Sequence, residues 1–464
     1  MEESDFMALG RFPERIVVIG AGMAGLVCAL ELMKQGYNVH LLEANSQPGG
    51  RIYTMRDPFA DGLFCEIGAA FIGEHHFLTL SYAQQAGVQL INLPVPNKSL
   101  SYIGGRFIID SPDEPALWPV SLTAEERILG YAGMLEKYLT PGLNATGNPF
   151  LPGWPTKQAV QLDSMTMEEY LRGQGASSGA IKLFEIGYMQ MLGDGIRKVS
   201  ALQRLLDLKM AGSERSSKTI VGGMDQLPKK LALTIGSNIS YGCAVTHIEQ
   251  SIKGVTIRFN HSGEVFTICC DRVIVAIPST VLRTIHFSPP LSKGKNDVIQ
   301  NQLSTSVTRT VIQSRTRFWN NLSSFTTVNT DLKIGWLLDA TFAQTTSRRG
   351  LICSYSSGES AREISRAGNF NSVVSEFKQV LPELSSNYEG GTVFSWDHHP
   401  YSRGAYAWYK PKQMIRMLPT LSAEQGRIYF AGDHTSLFPG WIEGAISSAL
   451  RTVNQMIAGN SIVR

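Results

Sequence analysis

The stretch 15–43 constrains the fold of this 464-residue chain more than any other. A short apolar strand, RIVVIG, runs into the loop AGMAG and then into a helix, and YNVHLLE follows as a second strand. Gly20, Gly22 and Gly25 stand in G-x-G-x-x-G spacing where the strand meets the helix. Glycines at these positions permit a tight turn, close approach of a pyrophosphate and close helix–strand packing, and the helix N-terminus favours phosphate. The stretch predicts a βαβ unit that binds a dinucleotide.

Two features nearby narrow the kind of dinucleotide. Glu43 ends the second strand, 18 residues after Gly25, where a carboxylate can accept hydrogen bonds from a ribose. Nicotinamide and flavin cofactors share this arrangement. The following GGRIYT adds flexible backbone at Gly49 and Gly50 and a positive charge at Arg51 for the pyrophosphate, which favours a flavin.

Composition excludes several classes of protein. The chain is 43% hydrophobic and 17% charged, with a net charge of +3, so no nucleic-acid-binding surface is expected. Its six cysteines include no C-x-x-C pair, which favours reduced thiols in a cytoplasmic protein and gives no sign of a zinc site. The most apolar stretch, 16–30, is too short to span a membrane, and the N-terminus lacks a secretory pattern. We expect a soluble protein without a metal site.

The chain pattern predicts two interleaved domains of α/β class. Segments 1–77, 213–286 and 400–464 contain short buried strands such as DRVIVAIP and GRIYFAGD, and are predicted to form a discontinuous Rossmann-like domain. Segment 78–212 is predominantly helical in pattern and 287–399 is rich in strands; together they are predicted to form an α+β substrate-binding domain. We expect the functional site in the cleft between the two domains.

Over nearly its whole length the chain resembles the flavin amine oxidase family, which includes monoamine, polyamine and L-amino acid oxidases. The matches are, in order, GGRIYT, EIGAAFIG, TIVGGMDQLPKKL, CAVTHI, VIVAIPSTVLRTIHFSPPL, PYSRGAYAWY and YFAGDHTSLFPGWIEGAISSAL. The resemblance implies an enzyme that binds extended FAD and oxidises a primary or secondary amine to an imine while O2 is reduced to H2O2. Hydrolysis of the imine then gives an aldehyde or keto acid and ammonia.

The resemblance also implies which residues contact FAD. They lie in the glycine loop, after the second strand, in the EIGAAFIG and CAVTHI motifs, and at the start of the last helix. They are Gly20, Ala21, Gly22, Met23, Ala24, Gly25, Glu43, Ala44, Gly50, Arg51, Gly68, Ala69, Ala70, Phe71, Val245, Gly432, Asp433, Trp441, Ile442 and Ala445.

Two aromatic residues match the pair that flanks the substrate in this family. They are Tyr406 in SRGAYAWY and Trp441 in PGWIEGA, and electron-rich ring faces suit an amine. Ala405 stands where mitochondrial-type relatives carry a cysteine bonded to the flavin, so FAD is expected to be non-covalent.

Two departures from the family affect the chemistry. Many relatives place a lysine near QSRTRFW to hold a water against the flavin; here Arg315 is the candidate, with Arg317 as the other choice. Many L-amino acid oxidases carry an arginine in the EIGAAFIG segment that binds the substrate carboxylate, and Phe71 occupies that position here. The second departure favours an amine without an α-carboxylate.

Several readings stay open. One is an L-amino acid oxidase with an unusually placed carboxylate clamp, from an arginine in the helical segment or from Arg315. Others are a flavin desaturase and a non-enzymatic flavoprotein. The expected partners are a small amine or amino acid and O2; a homodimer is compatible with the sequence, which does not determine the oligomeric state.

Overall fold

The structure is a computed structural model. It describes residues 14–93, 98–111, 116–186, 191–212, 217–321, 327–344, 347–366 and 368–462, with the backbone alone at 321 and 459–462. The helices of these ranges are α1 (Met23–Lys34), α2 (Phe77–Gln85), α3 (Ala124–Ala145), α4 (Lys157–Asp163), α5 (Met167–Gly173), α6 (Ser178–Phe184), α7 (Ala201–Ala211), α8 (Gln226–Ile235), α9 (Ser279–Leu282), α10 (Lys293–Asn301), α11 (Gly358–Ile364), α12 (Phe370–Val380), α13 (Leu384–Asn387), α14 (Met414–Ser422) and α15 (Ile442–Ile462).

The strands of the same ranges are mostly short. They are β1 (Arg15–Ile19), β2 (Asn38–Leu42), β3 (Thr54–Met55), β4 (Cys65–Glu66), β5 (Leu90–Asn92), β6 (Ser99–Ile103), β7 (Arg106–Asp110), β8 (Lys218–Ile220), β9 (Ile239–Ser240), β10 (Ala244–Ser251), β11 (Gly254–His261), β12 (Glu264–Cys270), β13 (Arg272–Val275), β14 (His286–Ser288), β15 (Leu303–Ser304), β16 (Val307–Ser314), β17 (Thr327–Thr330), β18 (Trp336–Asp339), β19 (Gly350–Ser357), β20 (Tyr388–Ser395), β21 (Ala407–Trp408) and β22 (Ile428–Phe430).

A parallel sheet ordered β22-β13-β1-β2-β9 forms the centre of the nucleotide domain. Its strands come from all three predicted segments of that domain. Strand β1 is apolar from Ile16 to Ile19 because both of its faces are covered there: Ile16 and Val18 pack into one core cluster, and Val17 and Ile19 into another. The carboxyl ends of β1 and β2 lead to the glycine loop and to Glu43.

The substrate domain contains a seven-stranded sheet ordered β20-β16-β19-β18-β17-β6-β7. Five of these strands lie in the segment 287–399, as predicted. The hairpin of β6 and β7 belongs instead to 78–212 and pairs with β17, a contribution that the helical reading of that segment did not foresee. Strand β16 lies between β20 and β19, and almost all of its side chains are buried.

The structure moves one predicted domain boundary. Helix α2 begins at Phe77, the end of the predicted first nucleotide segment, but packs with the nucleotide domain, where Tyr82 lies in the same core cluster as α1. The Tyr82 hydroxyl donates to Glu31 at 2.7 Å, and backbone groups of α2 donate to Glu443 of α15. The first nucleotide segment therefore continues to about residue 93. In the described part of the chain no helix has the length and apolar character needed to cross a bilayer.

Candidate functional site

A cavity of about 440 Å³ lies between the two domains, within the size range of small-molecule sites. One wall is formed by the glycine loop, the end of β2 and the start of α15. The other is formed by α7 and by strands β16, β18 and β19 of the substrate sheet.

The glycine loop leaves room for a ligand at the start of α1. A Cβ on Gly25 would overlap the carbonyl oxygen of Gly20, so helix and strand approach there as closely as the spacing predicts. Gly20 itself has φ of +101°, which favours glycine. Gly22 faces open space, with no atom within 4 Å of an added Cβ. No side chain caps α1 and no acid stands in its first turn, which leaves its N–H groups for an anion.

Glu43 is fixed by the loop it faces. Its carboxylate accepts hydrogen bonds from the backbone N–H of Ala21 at 2.5 Å and of Asn45 at 2.8 Å. Burial raises the pKa of Glu43, while these donors act in the opposite direction. The side chain lines the cavity beyond the glycine loop, where a ribose is expected.

An ion pair joins the GGRIYT segment to the last part of the chain. Arg51 is paired with Asp433 and also donates to the carbonyl of Ala405 at 2.6 Å. Burial by itself would raise the pKa of Asp433, but the Arg51 guanidinium beside it brings that pKa below its ordinary value. Asp433 also accepts from the N–H of Gly440 at 2.8 Å, so this carboxylate helps to set the turn before Trp441.

The structure brings nearly all the predicted cofactor residues to this one cavity. Two do not line it: Ala21 donates to Glu43, and Gly25 packs against Gly20. The predicted residues that line the cavity are Gly20, Gly22, Met23, Ala24, Glu43, Ala44, Gly50, Arg51, Gly68, Ala69, Ala70, Phe71, Val245, Gly432, Asp433, Trp441, Ile442 and Ala445.

Tyr406 and Trp441 lie together at one end of the cavity, and with Phe71 and Tyr355 they form what we call the aromatic end. The ring of Tyr406 lies against Gly440, where an added Cβ would be 3.1 Å from Cγ of the ring. Phe71 meets Trp441 edge to face, with ring centroids 5.8 Å apart. The hydroxyls of Tyr355 and Tyr406 are 2.6 Å apart. Hydrogen bonds and packing therefore hold the rings in place.

A buried histidine packs against the ring of Trp441. The ring of His76 lies edge to face against Trp441 at 4.9 Å, and its Nδ1 accepts from the N–H of Gly73 at 3.1 Å. Burial lowers the pKa of His76, so a neutral ring is favoured. His75 is about half-exposed and does not line the cavity.

The expectation for Arg315 is corrected by the structure. Arg315 follows the end of β16, its side chain is 64% exposed, and it lies near Glu389 at the edge of the sheet, outside the cavity. Arg317 is also outside the cavity and donates to the carbonyls of Arg349 and Thr341. Both stand beyond the buried part of the strand, so neither guanidinium faces the ligand space.

Within this strand and the residues that follow it, Arg309 of β16 lines the cavity, whereas Arg315 and Arg317 do not. It is 3% exposed, its guanidinium carbon lies 4.4 Å from the ring centre of Tyr355, and Nη1 is 3.9 Å from the Cys353 sulfur. The missed signal is its position: Arg309 stands near the middle of the strand-forming run SVTRTVIQS, where a charge is more often buried with the strand, whereas Arg315 and Arg317 follow that run.

Helix α7 supplies two further cavity residues that sequence reasoning did not single out, Arg204 and Asp207. They form an ion pair, and Asp207 also accepts from Nε1 of Trp441 at 2.8 Å. Arg204 is 1% exposed. Two charged residues three apart, in a helix where Leu202, Leu205 and other apolar residues are buried, were the available signal.

The residues present fit FAD. The N-terminus of α1 has no side-chain cap, and there is open space next to Gly22 for a pyrophosphate. Glu43 lines the cavity where a ribose is expected. At the aromatic end, the Arg309 Nε–H is buried and has no acceptor within the described residues, as expected for a donor that faces a ligand. Ala405, which precedes Tyr406, carries only a methyl group and cannot form a thioether with the flavin.

Comparisons with known proteins show which proteins this chain is similar to. Residues 23–457 match the model of a family described as flavin containing amine oxidoreductase. The chain is 27% identical to the protein YobN of Bacillus subtilis (strain 168), covering 97% of this chain and 96% of that one. It is also 27% identical to L-amino acid oxidase Lm29 of Lachesis muta, covering 96% and 87%. The solved structure of cyclohexylamine oxidase from Brevibacterium oxydans IH-35A superposes with a TM-score of 0.82 at 20% identity, covering 97% and 100%, which shows a shared fold.

Proposed function

From the premise that the chain belongs to the flavin-containing amine oxidoreductase family, we propose that it oxidises its amine at the aromatic end with O2 as the acceptor. FAD is the cofactor and is held non-covalently. The observation that carries the proposal is that the Tyr406 ring lies against Gly440, the residue before Trp441, and that both aromatic residues line the same cavity as the glycine loop.

Bound flavin supplies the chemistry that the side chains lack, accepting two electrons from the carbon next to nitrogen and passing them to O2. The balanced reaction converts amine and O2 to imine and H2O2, and water then converts the imine to a carbonyl compound and ammonia. Tyr406 and Trp441 orient the amine nitrogen between two electron-rich rings. The N-terminus of α15, which begins after Trp441, favours negative charge on the cofactor through its N–H groups.

Phe71 supports a substrate without an α-carboxylate. The Phe71 ring occupies the wall beside Trp441, where a carboxylate would meet apolar carbon and lose its hydration. The second candidate is an L-amino acid, and one specific observation favours it: Arg204, an arginine from the helical segment, lines the cavity. The relative Lm29 is named an L-amino acid oxidase.

We propose a cytoplasmic location for the enzyme. The six cysteines all lie in described parts of the chain and are free thiols, five of them buried. This is the usual state of cysteines in a reducing compartment. A homodimer stays a proposal, to be checked by light scattering of the purified protein.

A peroxide-release screen across amines and L-amino acids tests the function. We expect at least one amine to bleach the flavin under anaerobic conditions and to release one H2O2 per amine oxidised in air. A flavin that no amine and no amino acid reduces would contradict the proposal. Reduction without peroxide in air would retain amine oxidation and reject O2 as the acceptor.

A further inference from the structure

A carboxylate stands at the edge of the aromatic end and is held there by two donors. Nη1 of Arg204 donates to Oδ2 of Asp207, and Nε1 of Trp441 donates to Oδ1 at 2.8 Å. The Asp207 side chain is 14% exposed to solvent, whereas the Arg204 side chain is 1% exposed. The negative member of the pair therefore presents more surface than the buried positive member.

The other carboxylates that line the cavity, among described residues, have tasks elsewhere. Glu43 accepts from the backbone N–H groups of Ala21 and Asn45, and Asp433 is paired with Arg51. Asp207 is thus the cavity carboxylate bonded to a ring of the proposed substrate cage. Asp207 lies on α7, in the segment predicted to belong to the substrate domain, whereas Glu43 and Asp433 lie in segments predicted to belong to the nucleotide domain.

Both arginines of the aromatic end have close neighbours among the described side chains. Arg204 lies behind Asp207, and the guanidinium of Arg309 lies over the ring of Tyr355 at 4.4 Å. On the remaining wall, Phe71 presents an apolar ring beside Trp441. A ligand that reaches Trp441 therefore meets aromatic carbon and a carboxylate.

We propose that Asp207 determines substrate specificity by attracting amines as cations and disfavouring those that carry an α-carboxylate. The inference rests on the proposed function and names its substrate class: apolar amines without a carboxylate next to the nitrogen. In a largely desolvated cavity a single carboxylate attracts a nearby ammonium and repels a carboxylate far more strongly than in water. Arg204 is a positioning residue, since its guanidinium holds the Asp207 carboxylate from the buried side.

The test uses two ligands of similar ring and opposite charge, benzyltrimethylammonium and benzoate, titrated against the flavin absorbance of the holoenzyme at fixed ionic strength. We expect the wild-type protein to bind the cation at least tenfold more tightly than the anion. Asp207→Asn keeps an oxygen acceptor for Trp441 but removes the charge, and should reduce this ratio at least tenfold. Asp207→Glu should keep the preference for the cation.

Asp297→Asn is the matched control, since Asp297 is 53% exposed on α10 and does not line the cavity. This variant should leave the ratio unchanged. A wild-type protein that prefers benzoate would overturn the proposal, and so would an Asp207→Asn variant in which both affinities change by the same factor, the result expected of a purely structural role. If Asp207→Asn does not retain FAD, the wild-type ratio and Asp207→Glu still decide the question.

Kinetics separate failure of this inference from failure of the proposed function. Isoamylamine and L-leucine have the same branched side chain and differ by the α-carboxylate. Faster flavin reduction by isoamylamine supports the inference. Reduction by L-leucine alone overturns it while leaving amine oxidation intact, and reduction by no amine or amino acid contradicts the proposed function itself.

Discussion

Arg309 is a buried cation whose described neighbours are a sulfur and an aromatic ring. No carboxylate forms an ion pair with it in the described part of the chain, and its Nε–H has no acceptor there. A buried charge without a partner is costly to fold, so such a residue is expected to interact with a ligand. We infer that Arg309 stabilises negative charge on the bound cofactor.

Arg309→Met should weaken binding of sulfite to the oxidised holoenzyme at least tenfold. Sulfite adds to bound flavins and leaves negative charge on the ring, so its affinity reports a nearby cation; tenfold corresponds to about 1.4 kcal/mol. The measurement is a sulfite titration followed by flavin absorbance. Arg315→Met is the matched control and should leave the sulfite affinity unchanged. Equal effects of the two substitutions would remove Arg309 from the cofactor site.

Trp441→Ala should lower kcat/KM for the best amine at least tenfold while FAD stays bound. The substitution removes one ring of the cage and the donor to Asp207, whereas the contacts of the glycine loop are untouched. Trp441→Phe keeps a ring without the N–H and should have a smaller effect. Stopped-flow flavin reduction with a matched FAD occupancy checks both variants, and unchanged reduction in Trp441→Ala would show that Trp441 is not part of the cage.

Among the elements, α15 connects the site to the nucleotide core. Its first turn carries Glu443, which accepts from the N–H groups of Leu78 at 2.9 Å and Thr79 at 2.8 Å, and from the Thr79 hydroxyl at 2.7 Å. One carboxylate of α15 thereby satisfies the N-terminus of α2. The same turn presents Ile442 to the cavity, directly after Trp441, which also lines it.

Glu443→Ala should destabilise the holoenzyme by about 2–3 kcal/mol, because it leaves buried donors of α2 without an acceptor. Denaturant unfolding followed by circular dichroism measures the change. Glu249→Ala, at an exposed site on β10, should change stability by less than about 0.5 kcal/mol. A loss for Glu443→Ala as small as that of the control would show that water replaces the carboxylate at α2.

The sequence predicted those features whose geometry is determined by a local pattern. It did not predict those whose geometry depends on packing between distant segments. The strand–glycine loop–helix pattern is local, and the structure places it as predicted. Arg315 was chosen from position relative to a motif, without the burial along β16 that separates it from Arg309. Asp207 could not be assigned because its role depends on Trp441, 234 residues away in the chain.

At the scale of the whole molecule, two buried groups give opposite dependences of stability on pH. Burial lowers the pKa of His434 to about 4, so its contribution is present above the unfolded pKa of 6.5 and is lost as pH falls from 6.5 towards 4. Burial raises the pKa of Glu66 to about 7, so its contribution is present below 4.5 and is lost as pH rises towards 7. Between pH 5 and pH 7 each changes stability by about 2 kcal/mol, in opposite directions.

We therefore expect the pH dependences of stability from these two groups to cancel in the wild-type protein. In the two single variants, Tm should change with pH in opposite directions. From pH 5 to pH 7, His434→Gln should lose Tm relative to the wild type, and Glu66→Gln should gain Tm relative to it. Differential scanning fluorimetry of the FAD-loaded proteins measures the change in Tm between pH 5 and pH 7. Variants that keep the wild-type profile would show that neither group titrates in this window.

The three-segment sheet has a consequence for biosynthesis. Strand β1 pairs with β13, more than 250 residues later, and β13 pairs with β22 at Ile428–Phe430. Because β22 and α15 follow every other strand of this sheet in the chain, a ribosome must synthesise more than 400 residues after β1 before the cofactor pocket can close. The nucleotide domain therefore completes its sheet late, and the long-range pairing predicts that it folds slowly. Flavin supply during growth would then affect the yield of folded enzyme by capturing chains whose last strand has just been made.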